Sequence, residues 1–125
     1  MEQPTAEPDR IVVQHVLIAF KGAARSKAVR SRSEAKTLAE EVLAQLKGGA
    51  SMDALMKKHS DDPGAGTYGM ANNGVIPVAG KEFPRSGMVK AFGNVGFRLA
   101  VGEVGLAPYD ASDSPFGYHV IKRIK

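Results

Sequence analysis

The chain is 125 residues long, with 43% hydrophobic and 24% charged residues, close to ordinary globular usage. That composition excludes a disordered or collagen-like chain, and the length suits one domain. With no cysteine there is no disulfide, thiolate nucleophile or Cys-ligated metal, and the net charge of +4 permits acidic partners without demanding them.

The longest apolar run, Val16 to Phe20, falls far short of the roughly 20 residues that a membrane helix needs. Met1 to Arg10 holds no apolar signal core. A cytoplasmic location is therefore the expectation for the chain as given, with a removed signal or excision from a longer protein left open. Tryptophan is absent, and five phenylalanines and three tyrosines leave the core mainly aliphatic.

Residues 1–9, with two prolines and three acids, read as a flexible tail before a domain spanning 10–125. Ile11 to Phe20 is β-branched and apolar on both faces, as a central strand would be. A basic loop follows, with Lys21, Arg25, Lys27, Arg30 and Arg32 and no acid among them. Ser31 and Glu34 form a capping-box pattern, and Ala35, Leu38, Ala39, Val42, Leu43 and Leu46 recur at helical spacing. Gly48 and Gly49 end that helix, and Ser51 can cap a second one carrying Met52, Leu55 and Met56.

From Ser60 to Gly87, six glycines, three prolines and two adjacent asparagines predict loop with at most a short strand. A third helix is expected over Met88 to Phe97, weakened by Gly93 and Gly96. Strands are expected at Val104 to Ala107 and at Gly117 to Ile124.

Two of the three histidines, His15 and His119, fall in the middle of the two most apolar strands. Taken singly, each is more simply a buried core histidine. If the strands are neighbours, the two imidazoles can meet. Ser60, Asp61, Asp62 and Pro63 read as ordinary turn chemistry, and a functional role requires one aspartate to turn toward the histidines.

The chain resembles the parvulin-type peptidyl-prolyl cis-trans isomerases (rotamases). The matching pieces are Gln14-His-Val-Leu-Ile18, Leu46-Lys-Gly-Gly49, His59-Ser-Asp-Asp62, Gly66-Thr-Tyr-Gly69 and Met88-Val-Lys-Ala-Phe92. They continue through Val95-Gly-Phe-Arg-Leu99, Val101-Gly-Glu-Val104 and Phe116-Gly-Tyr-His-Val-Ile121, in the family's order. The resemblance implies an α+β fold, with a four-stranded antiparallel sheet wrapped by three to four helices. It implies that His15 and His119 stand paired behind the active centre, with Asp62 at the central position and Ser114 at a nearby hydroxyl position. Tyr68, Met88, Phe92 and Phe97 would contact the substrate, Met88 and Phe92 forming the proline pocket and Phe97 closing its inner side. Without the resemblance, Met88 and Phe92 read as core packing at i, i+4.

The chain departs from the family's pattern in three places. Thr67 and Tyr68 stand where an acid and a leucine are usual, and residues 71–87 form an inserted loop beside the pocket. Ala19 occupies the position where phosphate-directed relatives carry a cation, which speaks against phospho-Ser/Thr-Pro selectivity.

The activity implied is rotation about X–Pro bonds of peptides and unfolded proteins, without a covalent intermediate, cofactor or metal, by a monomer. Lys21, Arg25 and Lys27 would form a loop able to touch an anion before the proline. Two other readings stand beside it. One is a chaperone-like module that holds proline-containing segments with little catalysis. The other is a nucleic-acid contact through the basic 21–36 segment, whose plainer reading is a solvated charged face, since no aromatic or phosphate-binding motif accompanies it.

Overall fold

The first strand is apolar on both faces because it becomes the middle of the sheet. A computed structural model describes residues 7–62, 64 and 66–125. In it β1 (Arg10–Ile18) pairs antiparallel with β2 (Thr67–Ala71) on one side and β5 (Tyr118–Arg123) on the other. β4 (Val104–Ala107) adds antiparallel to β5, and the short β3 (Glu82–Pro84) adds parallel to β2, giving the order β3-β2-β1-β5-β4. The four antiparallel strands are those the resemblance implies. The fifth comes from the 71–87 insertion, so the Ser60 to Gly87 stretch, expected to be loop with at most a short strand, holds both β2 and β3, with a turn of 3-10 helix at Arg85–Gly87.

Alternation along β1 and β5 sorts the core into two halves. Val16 and Ile18, with Tyr118 and Val120, face α1 (Arg32–Lys47) and α2 (Met52–His59), meeting Ala35, Ala39, Val42 and Leu55. Ile11, Val13 and Ile121 face the other way, onto α3 (Lys90–Gly96) with Met70, Phe92 and Phe97. His15 and His119 belong to this second face and are buried at 4% and 3% exposure.

Helix α1 starts where the capping box places it: Ser31 Oγ accepts from the Glu34 amide at 3.1 Å, and Glu34 accepts from the Ser31 amide at 2.8 Å. Ser51 Oγ caps α2 by accepting from the Ala54 amide. Helix α3 is shorter than the Met88 to Phe97 expected, because Val89 offers no side-chain cap and Phe97 already closes the C-terminal end. One of its orphan amides, that of Ala91, instead donates to the Asp113 carbonyl at 3.0 Å, which anchors the helix to the 110–114 turn. Gly96, costly for helix propensity, lets α3 approach the sheet: a Cβ there would lie 3.2 Å from Ile11 Cδ1.

Glu7 to Asp9, which the sequence assigns to the flexible tail, hydrogen-bond to the insertion. Asn72 donates to the Pro8 carbonyl and its amide to the Asp9 carbonyl, while Arg85 pairs with Glu7 at 2.6 Å. The remainder of that tail, residues 1–6, lies outside the described residues.

Candidate functional site

In the antiparallel register His15 stands opposite Ile121 and His119 opposite Leu17, so the two histidines are diagonal neighbours on one face. Diagonal pairs of this kind are within reach of long or aromatic side chains. The rings lie nearly parallel, centroids 5.3 Å apart, with Nδ1 to Nδ1 at 3.2 Å.

The Ser60 to Asp62 segment reaches them because it takes over beside β1 where β2 leaves off. Strand β2 pairs with β1 only as far as Gln14. Beyond that point the Leu17 amide donates to Ser60 Oγ, the Asp61 amide to the Leu17 carbonyl, and the Ala19 amide to Asp61 Oδ2. Arg30 closes this lacing by donating to Asp61 Oδ2 at 2.7 Å and to the Ala19 carbonyl at 3.0 Å. Asp61 is thus held as a strut, and its neighbour Asp62 turns inward onto His15 Nε2 at 2.7 Å.

Asp62 accepts three donors: His15 Nε2, the Tyr68 hydroxyl at 2.6 Å, and the Gly64 amide at 2.9 Å. Burial raises the pKa of its carboxyl, but these hydrogen bonds together outweigh burial and hold it below the usual carboxylate range. Burial pushes the His15 imidazole down, opposed in part by Asp62. Burial, then the neighbouring His15, push His119 down to about 3. At neutral pH both imidazoles are therefore uncharged.

The donors and acceptors then fix the tautomers. An ionised carboxylate only accepts, so His15 carries its proton on Nε2 and leaves Nδ1 bare. His119 must donate from Nδ1, leaving its buried Nε2 as a lone pair with no partner among the described residues.

This chain of groups forms part of the wall of a pocket of about 590 Å³. Met88, Val89, Phe92 and Phe116 supply apolar walls, and Tyr68 stands beside Asp62. Phe92 meets both imidazoles edge to face, at centroid distances of 5.0 and 5.5 Å. Arg25 and Lys27 of the basic loop, with Ala24, Ser26 and Ala28, line the pocket as well.

The structure brings His15, Asp62, His119, Tyr68, Met88, Phe92, Arg25 and Lys27 together around this one pocket. It does not bring three others. Phe97 is not on the pocket wall: it is buried at 1% exposure in the core of the α3 face, with the Arg85 guanidinium over its ring. Ser114 is fully buried and donates to the Gly117 carbonyl at 3.0 Å, not to a histidine, so it fixes the turn leading into β5. Gly117 itself, at φ +139°, has the β1 backbone where a Cβ would go, the Ile18 carbonyl oxygen only 2.3 Å from that position. Lys21 lies off the pocket and bonds by its amide to Arg30.

Sequence reasoning missed Asp61, Leu17, Val89 and Phe116 as lining residues. Asp61 pairs with Arg30, 31 residues away along the chain, a contact that no local pattern announces.

The fold and site define a small α+β domain with paired neutral histidines beside an apolar pocket. The family described as PPIC-type PPIase domain matches residues 1–124, and the chain belongs to that family. The parvulin-type character read from the sequence motifs agrees with this. Among curated relatives, the Foldase protein PrsA 1 of Lactobacillus johnsonii is 30% identical over 92% of this chain and 30% of its own length. The Chaperone SurA of Pseudomonas fluorescens is 28% identical over 91% of this chain and 22% of its own. The chain therefore spans less than a third of these relatives. Among solved structures, the peptidyl-prolyl isomerase ESS1 from Candida albicans shares the fold, with a TM-score of 0.70 at 20% identity, covering 94% of this chain and 63% of that one.

Proposed function

We propose that this domain accelerates cis–trans rotation about X–Pro amides in peptides and unfolded proteins. The observation that carries the reading is the apolar slot of Met88, Phe92 and Phe116 set against an uncharged histidine pair. The barrier to be lowered is about 18–20 kcal/mol, and it arises from amide resonance. No bond to the protein need form. It is enough that the site binds the twisted amide better than either planar isomer.

In this reading the proline ring enters the apolar slot, where exclusion of water favours the less polar, twisted carbonyl. Asp62 would repel a substrate carbonyl if its charge were bare. Its three hydrogen-bond donors spread that charge into His15, Tyr68 and the Gly64 amide. His15 and His119 serve as a neutral, rigid floor, since rotation transfers no proton to solvent. Every group named comes from one chain, so a monomer suffices.

A second reading has support of its own. The insertion exposes Ile76 and leaves Phe83 half-exposed, with the Phe83 ring edge-on to Tyr68 at 5.9 Å. Of these, Phe83 reaches the pocket through Tyr68, and exposed apolar surface of this kind suits a module that holds unfolded segments, in keeping with the foldase and chaperone among the relatives. A protease-coupled assay on short X–Pro peptides separates the two. Catalysed release of the cis fraction supports the isomerase, and binding without acceleration supports the holding module.

A further inference from the structure

Resting on the isomerase reading, we propose that Tyr68 is a positioning residue whose hydroxyl holds the Asp62 carboxylate ionised and turned onto His15, so that the pH range of turnover depends on it. The motifs place Tyr68 where related domains carry an apolar side chain, and read it as part of the substrate wall. The geometry adds a second task. The Tyr68 hydroxyl donates to Oδ2 of Asp62 at 2.6 Å, the same oxygen that accepts from His15 Nε2 at 2.7 Å.

The phenol is well placed for this. Its main chain is fixed in β2 opposite Val13. Its ring is boxed edge to face by His15 at 5.4 Å, Phe92 at 6.0 Å and Phe83 at 5.9 Å. Phe83 belongs to the insertion, so that segment helps hold the ring in place. Burial and the adjacent carboxylate raise the Tyr68 pKa to about 12, so it stays a donor throughout the working pH range. The side chain of Asp62 is only 14% exposed, leaving little room for water to replace a lost donor.

The remaining groups around Asp62 are few. His15 faces it from β1, His119 stands behind His15 from β5, and the Gly64 amide takes the other oxygen. Asp61, next in the chain, is paired with Arg30. Arg25 and Lys27 line the same pocket from the basic loop. None of these is touched by removing one phenolic oxygen. Without that oxygen, Asp62 keeps two donors and the full cost of burial, and it takes up a proton at higher pH. A protonated Asp62 no longer requires His15 to carry its proton on Nε2, and the tautomer order of the pair is lost.

The test compares wild type, Tyr68→Phe, Asp62→Asn and the double variant. The carboxyl of Asp62 is titrated by carbon NMR, and kcat/KM for a Leu-Pro peptide is followed from pH 3 to 8. In Tyr68→Phe the carboxyl midpoint and the acid limb of kcat/KM are expected to rise together by about one pH unit, as loss of a hydrogen bond to the charged form requires. The fold, read by Tm at pH 7, stays intact. In the Asp62→Asn background the same change leaves the pH profile where it was. An unchanged Asp62 midpoint in Tyr68→Phe overturns the proposal, and so does an acid limb that shifts equally without the carboxylate. If wild type accelerates no peptide, the isomerase reading fails, and with it the link to turnover, while the carboxyl midpoint still decides whether Tyr68 holds Asp62 ionised.

Discussion

The Nδ1 atoms of His15 and His119 face each other at 3.2 Å across two antiparallel strands, so only one of them can carry a proton. With Asp62 ionised on the far side of His15, the order of donors runs from His119 through His15 to the carboxylate. That order depends on both imidazoles remaining neutral.

It sets how stability varies with pH. The folded-state pKa values of His15 and His119 lie below the ordinary value, that of His119 at about 3. The unfolded chain therefore takes up protons that the fold refuses once the pH falls below about 6.5. Stability is complete above that pH and falls on the way toward 3, by roughly 1.4 kcal/mol per pH unit for each imidazole that only the unfolded chain protonates. Urea unfolding at pH 7, 6, 5 and 4 is expected to show this slope, flattened in His119→Gln. A slope unaffected by that substitution would place the charge uptake elsewhere.

Phe92→Ala is expected to reduce kcat/KM by removing apolar contact worth about 1.5–3 kcal/mol, roughly tenfold to a hundredfold. Because Phe92 is also core, it should lower Tm. Met88→Ala, at a less buried side chain, serves as the companion: turnover should fall while Tm moves little. Turnover preserved in both folded variants would remove the proline ring from this slot.

Asp61 touches Arg30 and the Ala19 amide, yet its role is to hold the backbone that presents Asp62. Asp61→Ala is expected to lower turnover several-fold through displacement of Asp62. The readout is the Asp62 carboxyl resonance, which should move with the rate. A lowered rate with that resonance unmoved would mean Asp61 meets the substrate itself.

Of the three loop cations expected near the substrate, Arg25 and Lys27 line the pocket and Lys21 does not. Exposed ion pairs contribute less than about 1 kcal/mol and are screened by salt. Glu before proline should therefore be preferred over Lys by less than about tenfold, and the preference should fade as salt is added. Arg25→Ala with Lys27→Ala should abolish it, and Lys21→Ala should leave it. A ranking led by Leu-Pro and insensitive to salt would assign selectivity to the insertion.

Much of this was legible in the sequence because it is written in local chemistry. The Ser31 capping box, the apolar two-faced β1 and the alternation of β5 each specify their own element. The pairing of His15 with His119 was conditional on the strands being neighbours, which the resemblance supplied and local patterning did not. Composition allowed at most one short strand between Ser60 and Gly87, and β3 is the second there: it exists because β2 offers an open edge, and Asn72, Glu7 and Arg85 tie it down from distant positions. Phe97 was misplaced for another reason. Only the resemblance places it at the pocket: five residues beyond Phe92 on a helix, it lies well round the axis from Met88 and Phe92, and its ring is buried in the core of the α3 face. Tyr68 stands where a leucine is usual and is read from the sequence as a substrate contact, and nothing in its neighbours along the chain reveals that its hydroxyl meets Asp62.

Exchange NMR on a Leu-Pro peptide with substoichiometric protein reads directly whether the pocket accelerates X–Pro rotation. Cross-peaks between cis and trans proline resonances should appear on the sub-second timescale, against uncatalysed exchange of tens of seconds or longer. Adding Phe92→Ala at the same concentration should leave them weak or absent. Peptide resonances that broaden or shift on binding to wild type, with exchange still at its uncatalysed rate, would make the domain a binding module and not an isomerase.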